Sequence, residues 1–171
     1  MSGSQGDRVI ANAAQCGFKV GYEIKECQYG LGLFATEDIP KGAMIWNFNP
    51  PGNVRTFKNA EEISDHLSKL SPEEATFFMG HVYMFDGLVN EILDDGCYWN
   101  HSDTPNTGNG ADCESSYAIR DIKAGEELLD DYGTYEYPAW LMAVFDKYGI
   151  PQNYFDIKTK SHSDAQTPSE A

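Results

Sequence analysis

Tyr98-Trp99-Asn100-His101-Ser102-Asp103-Thr104-Pro105-Asn106 is followed further along the chain by Gly125-Glu126-Glu127-Leu128-Leu129-Asp130-Asp131-Tyr132-Gly133. Asn, Ser and Asp are ordinary turn residues. A strand-like aromatic lead-in, then Asn-His-Ser, then Pro-Asn at this offset is more than loop chemistry requires. His101, Ser102 and Asp103 are consecutive, so they cannot converge as a nucleophilic triad, and no nucleophile elbow is present. The acids of the second stretch are adjacent in a turn, whereas a glycosidase pair must face each other across a sugar. Far upstream, Gly30-Leu31-Gly32-Leu33-Phe34-Ala35 carries a GxG with no third glycine and no helical pattern after it, which rules out a dinucleotide fingerprint. Its glycines permit a close approach of backbone to another group.

The rest of the chain sets bounds. Its 171 residues suffice for one domain. Twelve Lys and Arg against 27 Asp and Glu leave a formal charge of −15, which disfavours a phosphate-tracking face and attracts cationic partners. No apolar run reaches the roughly 18 residues of a membrane span, and Met1 to Asp7 lacks the pattern of a signal peptide, so a soluble intracellular protein is expected. Cys16, Cys27, Cys97 and Cys113 are scattered without CxxC spacing or paired histidines, which supports neither zinc nor a disulfide framework. His66, His81 and His162 stand alone.

Residues 1–15 and 158–171 are polar and are expected to be flexible, leaving one domain over 16–157. Strand signals fall at Phe18–Lys25, at Ala43–Trp46, at Val82–Phe85 and at Tyr117–Ile122. A helical insert is expected at about 58–80. Asn59–Leu70 puts Ile63, Leu67 and Leu70 on one stripe, and Ser71-Pro72-Glu73-Glu74 reads as an N-cap, a first-turn proline and first-turn acids. A last helix from about Pro138 to Tyr148 groups Trp140, Leu141, Val144, Phe145 and Tyr148 before Gly149 and Pro151 end it. The class is therefore mainly β, with a short helical insert and a C-terminal helix.

On these motifs the segment from about 18 to 150 resembles a SET domain of the protein-lysine methyltransferase family. Lys25 to Phe48 resembles the N-terminal strands with their GxG, Asn100 to Asn106 the NHSxxPN motif, and Ile119 to Gly133 the RDIxxGEEL…DYG motif. The resemblance implies a curved β-clip in which the C-terminal segment threads a preceding loop as a pseudoknot, bringing NHS and DYG together. It implies S-adenosylmethionine as cofactor, released as S-adenosylhomocysteine, with no metal, and a target lysine entering a narrow channel from the opposite face. Tyr132 is the implied catalytic residue. Gly30, Leu31, Gly32, Phe34, Asn100, His101 and Tyr132 would hold the cofactor, with Trp140 or Phe145 covering the adenine or the lysine stem. Asn100 has both a donor and an acceptor for an amino-acid head group, and His101 can pack or hydrogen-bond around a purine. Tyr98, Tyr117, Tyr135 and Asp130 are the candidate substrate contacts.

The partner so implied is a basic Lys-containing protein or peptide such as a histone tail, with no direct nucleic-acid or membrane binding. Residence would be nuclear for a histone substrate and otherwise cytoplasmic. The sequence departs from the family pattern in lacking a cysteine cluster after Tyr132 and a zinc segment before the domain. It also has Asp130 where the family usually has Phe or Tyr. A carboxylate pointing into the channel would hold the lysine as its ammonium. Asp130 is therefore expected to turn outward or meet a water, with another aromatic filling the gap. A SET-fold module that binds cofactor or basic peptides with little turnover is the alternative reading.

Overall fold

The computed structural model describes residues 17–111 and 114–149. Both expected tails, the domain limits at 16 and 157, Cys16, Cys113 and His162 lie outside these residues.

Tyr22–Cys27 (β1) and Gly30–Ala35 (β2) form an antiparallel hairpin that turns through Gln28-Tyr29 into Gly30, whose φ of +105° suits a residue without a Cβ. Met44–Trp46 (β3) follows. Val54–Phe57 (β4) then leads into the insert, helices Ala60–Leu67 (α1) and Pro72–His81 (α2). Local chemistry starts both helices. Asn59 caps α1 by accepting from the Glu62 N–H, and Ser71 with Glu74 closes a reciprocal capping box on α2, with Pro72 in its first turn. The chain returns as Val82–Phe85 (β5) and Leu88–Ile92 (β6) across an Asp86-Gly87 turn in which both residues have positive φ, the geometry of a tight hairpin. Strands β4, β6 and β5 make one antiparallel sheet in that order.

A 3₁₀ turn at Asp95–Tyr98 delivers Asn100–His101 (β7), Thr107–Asn109 (β8) and Ser116–Ala118 (β9). Strands β3, β9 and β8 form a second sheet. Leu129–Asp130 (β10) runs parallel to β7. A 3₁₀ turn at Tyr132–Thr134 precedes the last helix, Ala139–Lys147 (α3). Two cores result. Leu33, Ala35, Ile39, Ile45, Ile122 and Leu128 pack under the hairpin and the β3 sheet. Ile63, Phe78, Met79, Val89, Leu141 and Phe145 bind the insert to its sheet and to α3. Among the described residues no helix is long and apolar enough to cross a membrane.

The architecture is the mainly β one expected, and several boundaries differ. The first strand begins at Tyr22, because Phe18 makes only a single bridge to Trp46. The expected strand Tyr117–Ile122 is regular only over Ser116–Ala118, after which Ile122 meets Ile39 in one isolated bridge. Strands β4 and β6 were not anticipated by the sequence. Their polar positions Arg55, Asn90 and Glu91 are accommodated by pairing across the sheet.

Candidate active site

The segment after Glu126 passes between the two arms of the 100–107 loop. On one side β10 pairs with β7, Leu129 opposite Asn100 and Asp130 opposite His101, and the Ser102 N–H donates to the Asp130 carbonyl at 3.0 Å. On the other side Asn106, only 1 % exposed, grips the same segment three ways. Its N–H donates to the Leu129 carbonyl at 3.2 Å, its Nδ2 to the Glu127 carbonyl at 2.7 Å, and its Oδ1 accepts from the Leu129 N–H at 2.8 Å. The Thr107 hydroxyl adds a bond to the Leu129 carbonyl at 2.8 Å. The crossing thus satisfies the backbone of β10 from both sides.

The crossing sets Tyr132 beside His101. The Tyr132 N–H donates to His101 Nδ1 at 3.1 Å, so that nitrogen is the unprotonated one and Nε2 carries the hydrogen, which points to Asp103 Oδ1 at 3.2 Å. The two rings lie 5.3 Å apart at 38°. The Tyr132 hydroxyl donates to the carbonyl of Trp99, which fixes its oxygen at the start of β7.

Asn100 joins the crossing to the GxG strand. Its Nδ2 donates to the Leu31 carbonyl at 3.1 Å and to Glu127 Oε1 at 2.8 Å. Strand β2 continues alongside, with Phe34 bridging Glu127 and the Leu128 N–H donating to the Leu33 carbonyl at 2.7 Å. A Cβ on Gly32 would stand 2.4 Å from Glu127 Oε1 and 3.0 Å from Asn100 Nδ2, so a side chain there would push the Glu127 carboxylate off Asn100. Gly30, Leu31, Gly32, Phe34, Asn100, His101 and Tyr132 therefore belong to one continuous arrangement. Glu127 completes it and was missed in the sequence, where it reads as one acid among several in a turn.

A cavity of about 310 Å³ has Trp99 and the Asp130 of β10 in its wall. Its walls include Trp46, Trp99, Tyr83 and Tyr135, with Asp130 and Asn90 among them. Asp130 therefore does not face outward as expected. Its Oδ2 accepts from the Tyr135 hydroxyl at 2.7 Å and its Oδ1 from the Asp131 N–H at 2.9 Å, which hold the carboxylate on the cavity wall. Burial pushes its pKa above the usual carboxylate range, against the lowering effect of those two bonds. Burial, followed by the charge of Asp130, raises the Tyr83 and Tyr135 phenols, so both remain donors. The Tyr83 and Tyr135 rings are 4.6 Å apart, and Tyr135 lies 5.5 Å from Tyr132, so aromatics flank the carboxylate. Trp46 is set by buried Asp94, which accepts from its Nε1 at 2.9 Å.

The other candidates go elsewhere. Tyr98 packs against the core under the hairpin. Tyr117 follows cavity-lining Ser116 on β9, so strand alternation turns it to the other face, where its ring lies against Gly110. Trp140 sits on α3 against the insert core, so that face of the helix is taken up by packing. Among the described residues no three His, Cys, Asp or Glu side chains converge as a metal site.

Residues 30–133 match the SET domain family model, and the chain belongs to that family. It is 30% identical over 125 residues to the histone-lysine N-methyltransferase set5 of Schizosaccharomyces pombe, across 60% of this chain and 39% of that one. The chain thus spans about two fifths of the length of that curated relative. Among solved structures, the Neurospora SET domain protein DIM-5, a histone lysine methyltransferase, is 18% identical, with a TM-score of 0.47 over 73% of this chain and 55% of its own. The methyltransferase domain of human histone-lysine N-methyltransferase SETMAR is also 18% identical, with a TM-score of 0.48 over 69% and 46%.

Proposed function

We propose that the chain is a protein-lysine N-methyltransferase that uses S-adenosylmethionine and acts on a basic peptide such as a histone tail. The observation that supports this reading is the crossing, in which the Tyr132 hydroxyl donates to the carbonyl of Trp99, a residue of the cavity wall, while the next residue, Asn100, holds Leu31 and Glu127 beside Gly32.

The residues present fit the cofactor. An amino-acid ammonium needs acceptors, and the Leu31 carbonyl and the Glu127 carboxylate, both held by the Asn100 amide, lie together beside Gly32. Bound there, the cofactor supplies an electrophilic methyl on a sulfonium. The protein's part is alignment and exclusion of water, since transfer to an amine is an in-line displacement. Tyr132, tied to Trp99 and to His101, is rigid, and its hydroxyl oxygen and the Trp99 carbonyl offer a fixed dipole at the transfer point. Trp46, Trp99, Tyr83 and Tyr135 make a wall suited to the aliphatic stem and cationic end of a lysine. The charge of −15 favours a basic substrate's approach. Residence in the nucleus follows if that substrate is a histone.

Asp130 favours a second reading, in which the cavity binds a cationic side chain without turning it over. Calorimetric titration with S-adenosylmethionine, followed by a radiolabelled methyl assay on histones, separates the two. Binding with transfer to lysine supports the enzyme; binding without transfer supports the module.

A further inference from the structure

We propose that Asp130 accepts the proton from the substrate amine before methyl transfer, an inference that rests on the lysine-methyltransferase reading. A lysine arrives as its ammonium, and removing that proton to water at pH 7 costs about 4.6 kcal/mol. Tyr132 is poorly placed for the task, because its hydroxyl donates to the Trp99 carbonyl and a phenol is protonated at neutral pH. Asp130 is the carboxylate held on the cavity wall by Tyr135 and the Asp131 N–H, each of which leaves an oxygen lone pair for the amine.

A second feature of the same cavity points to a donor-rich ligand. Asn90 is 3% exposed, its Nδ2 is bonded to the Leu88 carbonyl, and its Oδ1 has no hydrogen-bond partner among the described residues. An amine offers the hydrogens that Asn90 Oδ1 and Asp130 lack. The charged and titratable groups around Asp130 are Tyr135, Tyr83, Glu114 and Asp86 in the cavity wall, and Asp131, His101 and Tyr132 beside β10. None supplies a fixed cation that would hold Asp130 ionised.

A buried ammonium and carboxylate each lose their water, and desolvation penalises that ion pair relative to the neutral amine and carboxylic acid. The carboxylate therefore acts as a base rather than as a trap for the cation. In the step, an N–H bond breaks with its pair left on nitrogen, and the proton forms an O–H bond on Asp130. The nitrogen pair then forms N–CH₃ as the donor's S–CH₃ bond breaks, its electrons remaining on sulfur, and the acid later returns its proton to solvent.

The test compares the wild type with Asp130→Asn, which keeps an acceptor for Tyr135. In the wild type, methyl transfer to a histone mixture should be level from neutral pH upward. In D130N it should fall about 100-fold at neutral pH and regain about tenfold per pH unit toward the lysine value of about 10.4, as external alkali does the work. A readout independent of turnover is the Asp130 carboxyl carbon resonance in ¹³C-labelled protein, assigned by its loss in D130N. It should titrate above the ordinary carboxylate range and shift on addition of n-butylamine. Parallel pH profiles, or a resonance that titrates normally and ignores n-butylamine, overturn the proton-acceptor role while leaving the enzyme reading intact. A wild type that binds cofactor and methylates no lysine overturns both.

Discussion

The backbone N–H of Tyr132 donates to the ring nitrogen of His101 at 3.1 Å, across 31 positions of sequence. That bond can form only because β10 lies inside the 100–107 loop, so it reports on the crossing as a whole. Replacing His101 with Ala removes the acceptor of the Tyr132 N–H and should destabilise the fold by about 0.5–1.5 kcal/mol in urea unfolding, the net worth of one hydrogen bond. A loss within the error of the measurement would mean that the crossing is held without this contact.

Gly32 and Gly80 make opposite predictions. Gly32→Ala drives its Cβ into the Glu127 carboxylate and should displace it from Asn100, weakening cofactor binding about tenfold or more in calorimetry, the effect of about 1.4 kcal/mol. Gly80 lies in α2 with no atom within 4 Å of the added Cβ, and Gly80→Ala should raise stability by about 0.5–1 kcal/mol without touching affinity. Equal effects at the two sites would contradict the close approach at Gly32.

Asp94 is 4 % exposed and accepts from the Gly17 N–H at 2.7 Å, from Trp46 Nε1 and from the Gly96 N–H at 2.9 Å. Asp94→Ala strands three donors and should cost at least about 3 kcal/mol, at the lower bound of about 1 kcal/mol each. Asp94→Asn retains one acceptor and should cost less. Thermal unfolding of the two variants orders them.

His66 lies between Phe57 and Phe78, ring centroids 5.2 and 4.9 Å away, and its Nε2 accepts from Arg55 at 3.3 Å. Burial lowers its pKa, and the charges of Arg55 and Lys69 lower it further. The unfolded chain therefore binds the proton more readily, so the stability contributed by neutral His66 is lost as pH falls through the ordinary histidine value of about 6.5. Between pH 7.5 and 5.5 the melting temperature of the wild type should fall more than that of His66→Phe. Matching slopes would remove His66 from the acid response.

What the sequence disclosed follows the range of the forces involved. The Asn59 cap and the Ser71-Pro72-Glu73-Glu74 box act within one helical turn, so both insert helices were legible. Strands β4 and β6 were not, because Arg55, Asn90 and Glu91 break the local apolar pattern and their pairing with one another spans the whole insert. The site divides the same way. The meeting of NHS with DYG came from family resemblance, since no local rule brings β7 to β10. Asp130 was expected to avoid the cavity because a carboxylate there would hold a lysine as its ammonium; the hydroxyl that keeps it on the wall, that of Tyr135, comes only after the 3₁₀ turn at Tyr132–Thr134, a bend that the flanking residues do not announce.

The central claim is that the crossing presents Tyr132 to a methyl donor on one side and a lysine on the other. Mass spectrometry of a histone mixture incubated with S-adenosylmethionine and either wild type or Tyr132→Phe tests it most directly. The wild type should add methyl mass to lysine residues. Y132F should bind the cofactor and lose transfer by about 100-fold or more. Undiminished transfer by Y132F, or methyl mass appearing on residues other than lysine, would contradict the account.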